Sequence, residues 1–108
     1  MTVESLAEEF GFKVLTMPSP EREICGAYIG DLLSWVMGKA ESDNLWITIM
    51  SNLNIVAVAT LADVSSVLLC EGVLLDDEVL ALAESKGVNV LATNYSAYEV
   101  AKIISGAV

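Results

Sequence analysis

Three short apolar runs, separated by two connectors, constrain this chain more than anything else in it. Leu45-Trp46-Ile47-Thr48-Ile49-Met50, Val67-Leu68-Leu69-Cys70 and Val88-Asn89-Val90-Leu91-Ala92 are each of strand length. They are rich in β-branched, aromatic and other large apolar residues. Runs with so few polar interruptions suit strands covered on both faces, the condition of a parallel sheet. Parallel neighbours need a crossover, and a helix supplies the compact one.

The two connectors fit that demand unequally. Asn54 to Asp63 contains Ile55-Val56-Ala57-Val58-Ala59-Thr60, which has strand propensity by itself. Its place between two parallel strands predicts a short, mostly buried helix, with Asn54 as N-cap. The second connector is plainer. Asp76-Asp77-Glu78 puts negative charge where a helix N-terminus is partially positive. Val79, Leu82 and Ala83 form an apolar face, Lys86 lies in the last turn, and Gly87 suits the position past the end.

A further helix follows the last strand. Ser96 and Glu99 have capping-box spacing, Tyr95 and Val100 staple spacing, and Val100, Ile103 and Ile104 are expected to face the sheet. Before the organising stretch, Thr2 caps a helix with Val3, Leu6, Ala7 and Phe10 on one side and Gly11 at its end. Phe12 to Thr16 reads as a strand, and Met17-Pro18-Ser19-Pro20 as a rigid loop. Glu23 to Ile29 reads as another strand, with Gly26 marking a bulge or a close backbone approach. Asp31 is expected to cap a short helix stopped by Gly38, and Lys39 to Asn44 to form an exposed loop. Trp35 on that helix has two readings, core residue or partner surface. The expected fold is therefore α/β, with a central, mainly parallel sheet of about five strands. No linker divides the chain, so residues 1–108 are expected to act as a single domain.

Charge and composition exclude several functions. The net charge is -10, and the 5 basic residues are scattered. Nucleic-acid binding needs a basic face, so no nucleic-acid partner is expected. No apolar run reaches the ~20 residues of a bilayer span, and no basic-then-apolar start suggests export. A cytoplasmic protein with no membrane partner is expected. With 0 histidines the commonest general base and metal ligand are missing. Cys25 and Cys70 match no zinc or redox spacing and read as small buried thiols on strands. No P-loop, G-x-G-x-x-G or G-x-S-x-G motif occurs. No catalytic residue, cofactor or metal is expected, and Asp76-Asp77-Glu78 with Glu71 is explained by helix capping before Mg²⁺ binding.

Ligands of open α/β sheets bind beyond the carboxyl ends of the strands. There the chain carries Ser51, Asn52 and Asn54, then Glu71 and Gly72, then Thr93 and Asn94. Six of these, Ser51, Asn52, Asn54, Gly72, Thr93 and Asn94, are the candidate ligand-binding residues. Helix N-termini starting at the same rim favour anions such as phosphate. The alternative is that Ser and Asn stand there only as caps and turn formers. The nearby carboxylates repel phosphate, which favours the Ser51-Asn52 side.

The order of these motifs resembles a known family. Val67-Leu68-Leu69-Cys70-Glu71-Gly72, Asp76 to Ala83, and Gly87-Val88-Asn89-Val90-Leu91-Ala92-Thr93 are similar to the DRTGG domain, the fold of the N-terminal domain of HPr kinase/phosphorylase. The likeness extends upstream through Gly26 to Leu33 and Leu45 to Ile49. It implies a three-layer α/β/α domain that commonly self-associates and has a regulatory, non-catalytic role. A homodimer is expected, with a nucleotide or phosphorylated metabolite as ligand, or a protein partner in its place. The chain departs from the family pattern where Ser51-Asn52-Leu53 replaces Gly-Asp-Arg and Cys70-Glu71-Gly72 replaces Thr-Gly-Gly.

Overall fold

The computed structural model describes residues 1–108. In chain order the elements are α1 (Val3–Phe10), β1 (Lys13–Thr16), β2 (Ala27–Ile29), α2 (Leu33–Lys39), β3 (Leu45–Thr48), α3 (Asn54–Ala62), β4 (Ser66–Leu69), α4 (Asp77–Ser85), β5 (Val90–Ala92) and α5 (Ala97–Ile104). The strands form one sheet of order β1-β5-β4-β3-β2. β2, β3, β4 and β5 are parallel, and β1 joins β5 antiparallel.

Topology follows from handedness. The chain steps from β2 through β3 and β4 to β5 without reversing, so right-handed crossovers place α2, α3 and α4 on one face. Val36, Ile55, Val56, Val79 and Ala83 of those helices pack there on Trp46, Val67, Leu69, Val90 and Ala92. The alternate strand residues Leu45, Ile47, Leu68, Cys70 and Leu91 point to the other face, where Val3, Leu6 and Ala7 of α1 and Val100 and Ile104 of α5 cover them. The result is the expected three layers, with a strand period of two separating two cores. Two helices ~10 Å apart span less than five strands spaced ~4.8 Å, which leaves outer residues such as Ile29 and Val14 exposed on the α1/α5 face.

Several local expectations hold, with their hydrogen bonds visible. Thr2 caps α1 in a box closed by Ser5, and Gly11 ends it at φ 71°. The Ser96–Glu99 box is complete: the Ser96 amide donates to the Glu99 carboxylate at 3.0 Å, and the Glu99 amide to the Ser96 hydroxyl at 3.2 Å. Gly26 has φ +73°, and a Cβ there would lie 3.2 Å from the Asn44 side chain.

Other expectations are corrected. Asp31 does not cap α2, whose N-cap is Leu32. Its carboxylate instead accepts from the Thr48 hydroxyl (2.8 Å) and the Ile49 amide (3.1 Å), tying the exit of β2 to the end of β3. Gly38 does not stop α2, which runs through it to Lys39; one glycine inside a packed helix costs only ~1 kcal/mol. Asn54 is the first residue of α3, not its cap; Asn52 Oδ1 accepts from the Asn54 amide at 2.9 Å. The strand expected over Glu23–Ile29 is regular only in Ala27–Ile29. Asn44 is buried, not part of an exposed loop, and donates to the Cys25 carbonyl at 2.8 Å. Cys25 is exposed and outside any strand, whereas Cys70 is buried. Ile103 is 39% exposed and turns from the sheet, because the period of α5 buries Val100 and Ile104. Trp35 faces outward at 57% exposure, with the Lys39 ammonium 4.4 Å from its ring centre. No helix is long and apolar enough to cross a membrane.

Candidate functional site

The two rims of the sheet differ in how their polar groups are used. At the amino ends of the parallel strands they are spent on one another. Buried Asn89 accepts from the Ser19 amide (2.9 Å) and donates to the Ser19 and Ser65 carbonyls (2.8 and 3.0 Å). Arg22 bridges Asp43 and Asp63, both at 2.9 Å. Burial pulls the Arg22 guanidinium down, but its hydrogen bonds to Asp43 and Asp63 outweigh this and raise it above its ordinary value. The Asp63 carboxyl is held below its ordinary value by the Ser42 hydroxyl first and by Arg22 second. This rim is closed.

The carboxyl rim is open where the topology splits. After β4 the chain turns toward the layer of α4; after β5 it turns to the opposite face, to α5. Diverging connections leave a crevice, the usual ligand position in open α/β sheets. A cleft of ≈ 640 Å³ lies there, lined by Phe10, Gly11, Lys13, Gly72, Leu74, Ala92, Thr93, Asn94 and Tyr95. β1 contributes because its antiparallel pairing sets Lys13 opposite Ala92, so the start of β1 meets the end of β5.

The floor of the cleft is built from two crossed turns. Glu71 and Gly72 have φ 61° and 75°, and the Val73 amide closes the turn on the Cys70 carbonyl at 3.1 Å. Two central residues with positive φ match a type I′ turn, whose second position favours glycine. The Glu71 amide donates to the Tyr95 carbonyl (2.9 Å) and the Gly72 amide to the Thr93 carbonyl (3.0 Å), locking the turns together. A Cβ on Gly72 would lie 3.2 Å from Asn94 Oδ1. The Thr93 hydroxyl accepts from the Tyr95 amide at 3.2 Å, leaving its own proton available to a guest.

Lys13 is the sole charged side chain lining the cleft, and it has no ionic partner. Phe10 and the half-exposed Tyr95 add aromatic surface. Cys70, buried just behind the turn, has its thiol pushed up to about 11 by burial, then by Glu71 and Asp31. It is therefore protonated at neutral pH and a poor nucleophile. No group of three or more Cys, Asp or Glu side chains is placed to hold a metal ion.

Of the six residues selected from sequence, Gly72, Thr93 and Asn94 come together in this cleft. Ser51 and Asn52 are exposed at the neighbouring tip of β3 and do not line it. Asn54 lines a separate groove of ≈ 440 Å³ between α3 and α4, with Leu53, Leu61 and Leu82 among its walls. The difference follows from the crossovers: the connection after β3 leaves for the same layer as that after β4, so no crevice opens between them. Phe10, Lys13 and Tyr95 were not candidates in sequence. Only the pairing of β1 with β5, from opposite ends of the chain, brings Lys13 to the rim.

Comparison with known proteins gives a family and a fold. The family model described as the DRTGG domain matches residues 24–107. A crystal structure of the CBS and DRTGG domains from the regulatory region of a Clostridium perfringens pyrophosphatase, in complex with its activator diadenosine tetraphosphate, is similar with a TM-score of 0.71 and 13% identity. The alignment covers 95% of this chain and 45% of that one. At that identity the likeness speaks for the fold alone. No curated protein sequence matches the chain.

Proposed function

This chain belongs to the DRTGG domain family, and from that premise we propose a single, non-catalytic regulatory domain that binds a nucleotide or other phosphorylated small molecule in the cleft beyond β4 and β5. The observation that carries this reading is the lining of the cleft: one unpaired cation, Lys13, beside Phe10 and Tyr95, in a chain of net charge -10. An ammonium group meets phosphate as a point charge, and an aromatic face accepts a base. The Thr93 hydroxyl and Asn94 amide supply the few placed polar groups such sites use for orientation. Gly72 keeps the backbone low at the floor. Ser51 and Asn52 extend the site, since the tip of β3 adjoins that of β4 and a long ligand would run toward them; Asn54 opens instead on the groove between α3 and α4. The nucleotide bound by the pyrophosphatase regulatory region makes nucleotides the first class to test. Two free thiols suit a reducing compartment, and we place the protein in the cytoplasm.

The test is a thermal-shift comparison of the wild-type chain and Lys13→Ala with adenosine mono- and triphosphate, diadenosine tetraphosphate and a sugar phosphate. A ligand at ten times its Kd adds about 1.4 kcal/mol, or roughly 6–11 °C for a chain of this size. The expected outcome is a shift with at least one compound that Lys13→Ala removes. No shift with any compound, or an equal shift in the variant, overturns the reading.

A second reading, a protein-docking module, is favoured by Trp35 at 57% exposure with Leu32 and Met37 exposed beside it on the chain. It predicts that Trp35→Ala loses a partner the wild type retains, with the nucleotide response intact.

A further inference from the structure

The supply of positive charge decides which phosphorylated ligand the cleft can hold. The chain has 15 acidic and 5 basic residues, and four of the five cations are committed elsewhere. Arg22 bridges Asp43 and Asp63 at the amino rim. The Lys39 ammonium lies 4.4 Å from the Trp35 ring centre, and that of Lys102 5.5 Å from the Tyr98 ring centre. Lys86 lines the groove between α3 and α4. Lys13 alone lines the cleft. Carboxylates, by contrast, flank the lining residues along the chain: exposed Glu9 precedes Phe10, exposed Glu71 precedes Gly72, and exposed Asp76 and Asp77 follow shortly after Leu74.

The direction in which a chain of phosphates could grow is also fixed. In the sheet order the tip of β4 stands between β5 and the tip of β3. Phosphates leaving Lys13 toward Ser51 and Asn52 therefore cross the turn that carries Glu71. They arrive where the Asp31 carboxylate holds the Thr48 hydroxyl and the Ile49 amide. Glu71 and Asp31 both lie close enough to Cys70 to help hold its thiol high. A phosphate on this path meets two carboxylates and no cation, and like charges at such range repel.

We propose that the cleft selects a nucleotide carrying a single phosphoryl group, a nucleoside monophosphate, against its di- and triphosphate forms and against dinucleoside polyphosphates. This rests on the reading of the cleft as a nucleotide site and adds what that reading leaves open, the number of phosphates. Lys13 neutralises the first phosphate. The base covers Phe10 and Tyr95, which with Leu74 and Ala92 give the cleft its apolar lining. Each further phosphate adds a negative charge with no cation to meet, in the field of a chain of net charge -10. Selection of this kind works by repulsion, so it needs no contact shaped to the excluded ligand.

Isothermal titration calorimetry of the full chain with adenosine mono-, di- and triphosphate, free of divalent metal, tests the count, because base and ribose are the same throughout. At low ionic strength the monophosphate should bind about tenfold more tightly than the triphosphate. Raising salt to ~0.15 M, where the screening length is ~8 Å, should narrow that ratio. Glu71→Lys should narrow it further, by strengthening triphosphate binding more than monophosphate binding. Residue 71 is exposed and its amide bond to the Tyr95 carbonyl does not involve the side chain, so the turn is kept. Adenosine, which lacks the phosphate, and ribose 5-phosphate, which lacks the base, should each bind roughly tenfold more weakly than the monophosphate. A triphosphate or diadenosine tetraphosphate that binds the wild type as tightly as the monophosphate overturns the selection; if Lys13→Ala abolishes that binding, the cleft still stands as a nucleotide site. A ratio that Glu71→Lys leaves unchanged also overturns the selection by charge. A chain that binds none of these compounds overturns both the selection and the site.

Discussion

The two ends of the sheet were built to different rules. At one end β5 is enclosed, paired with β4 and β1 and packed on both faces, and the last strand is antiparallel, bulged and charged. At the other, β2 is three residues long, parallel, uncharged and open along its outer side. The first end finishes the sheet and, by bringing a strand from the start of the chain to the end of β5, gives the cleft its cation. The second leaves hydrogen-bonding capacity unused. The cleft and the free edge thus lie at opposite ends of one sheet, so a substitution at one can be made without touching the other.

Substitutions at the two ends should separate them, and the largest effect belongs to β5. Leu91 is fully buried beneath α1 and α5. Leu91→Ala should cost about 3 kcal/mol by urea unfolding, the cost of a core cavity. Ile29→Ala, measured where the chain is monomeric, should cost roughly 1 kcal/mol or less, because half of that side chain is already in water. Equal losses would mean that the two ends bear equal weight.

Gly72→Ala should give the next largest loss, about 1–2 kcal/mol. It forces a Cβ into the left-handed region at φ +75° and to 3.2 Å from Asn94 Oδ1. The same variant should weaken nucleotide binding, read as a smaller thermal shift than the wild type gives, whereas Ile29→Ala at the other end should leave that shift unchanged.

The smallest effect is a pH dependence at the closed amino rim. The folded Asp63 carboxyl lies below its ordinary value of 3.8, chiefly through Ser42 and then Arg22. A depressed carboxyl contributes stability that is present above the unfolded value and lost as pH falls through the folded one. Asp63 is 60% exposed as a side chain, so solvent screening makes the contribution small. Acid titration of stability should be slightly flatter in Asp63→Asn below pH 3.8, with the response to nucleotide unchanged.

Most of the fold could be read before the structure, since its signals are local. Caps at Thr2 and Ser96, the left-handed exits at Gly11 and Gly87, and the apolar runs of β3, β4 and β5 act within a few residues of themselves. The exceptions at Asp31 and Asn54 share one cause. A short polar side chain caps whichever free donor it reaches: Asp31 reaches the Thr48 hydroxyl and the Ile49 amide, and at the start of α3 it is Asn52 whose side chain reaches the Asn54 amide. Half of the candidate site was legible for the same local reason: Gly72, Thr93 and Asn94 follow strand ends. Ser51 and Asn52 have that signature too, and nothing local distinguishes a tip beside a crevice from one beside a parallel crossover.

By itself, then, the sequence determined the element types, the parallel core and the polar carboxyl rim. Periodicity, capping and the need for crossovers are properties of neighbouring residues. Tertiary structure alone decided that β1 runs antiparallel beside β5, that Lys13 therefore stands in the cleft, and that the outer edge of β2 is left unpaired. Those outcomes depend on which distant strands meet. That choice is set by the summed burial of both faces of the sheet, which no short stretch of chain encodes.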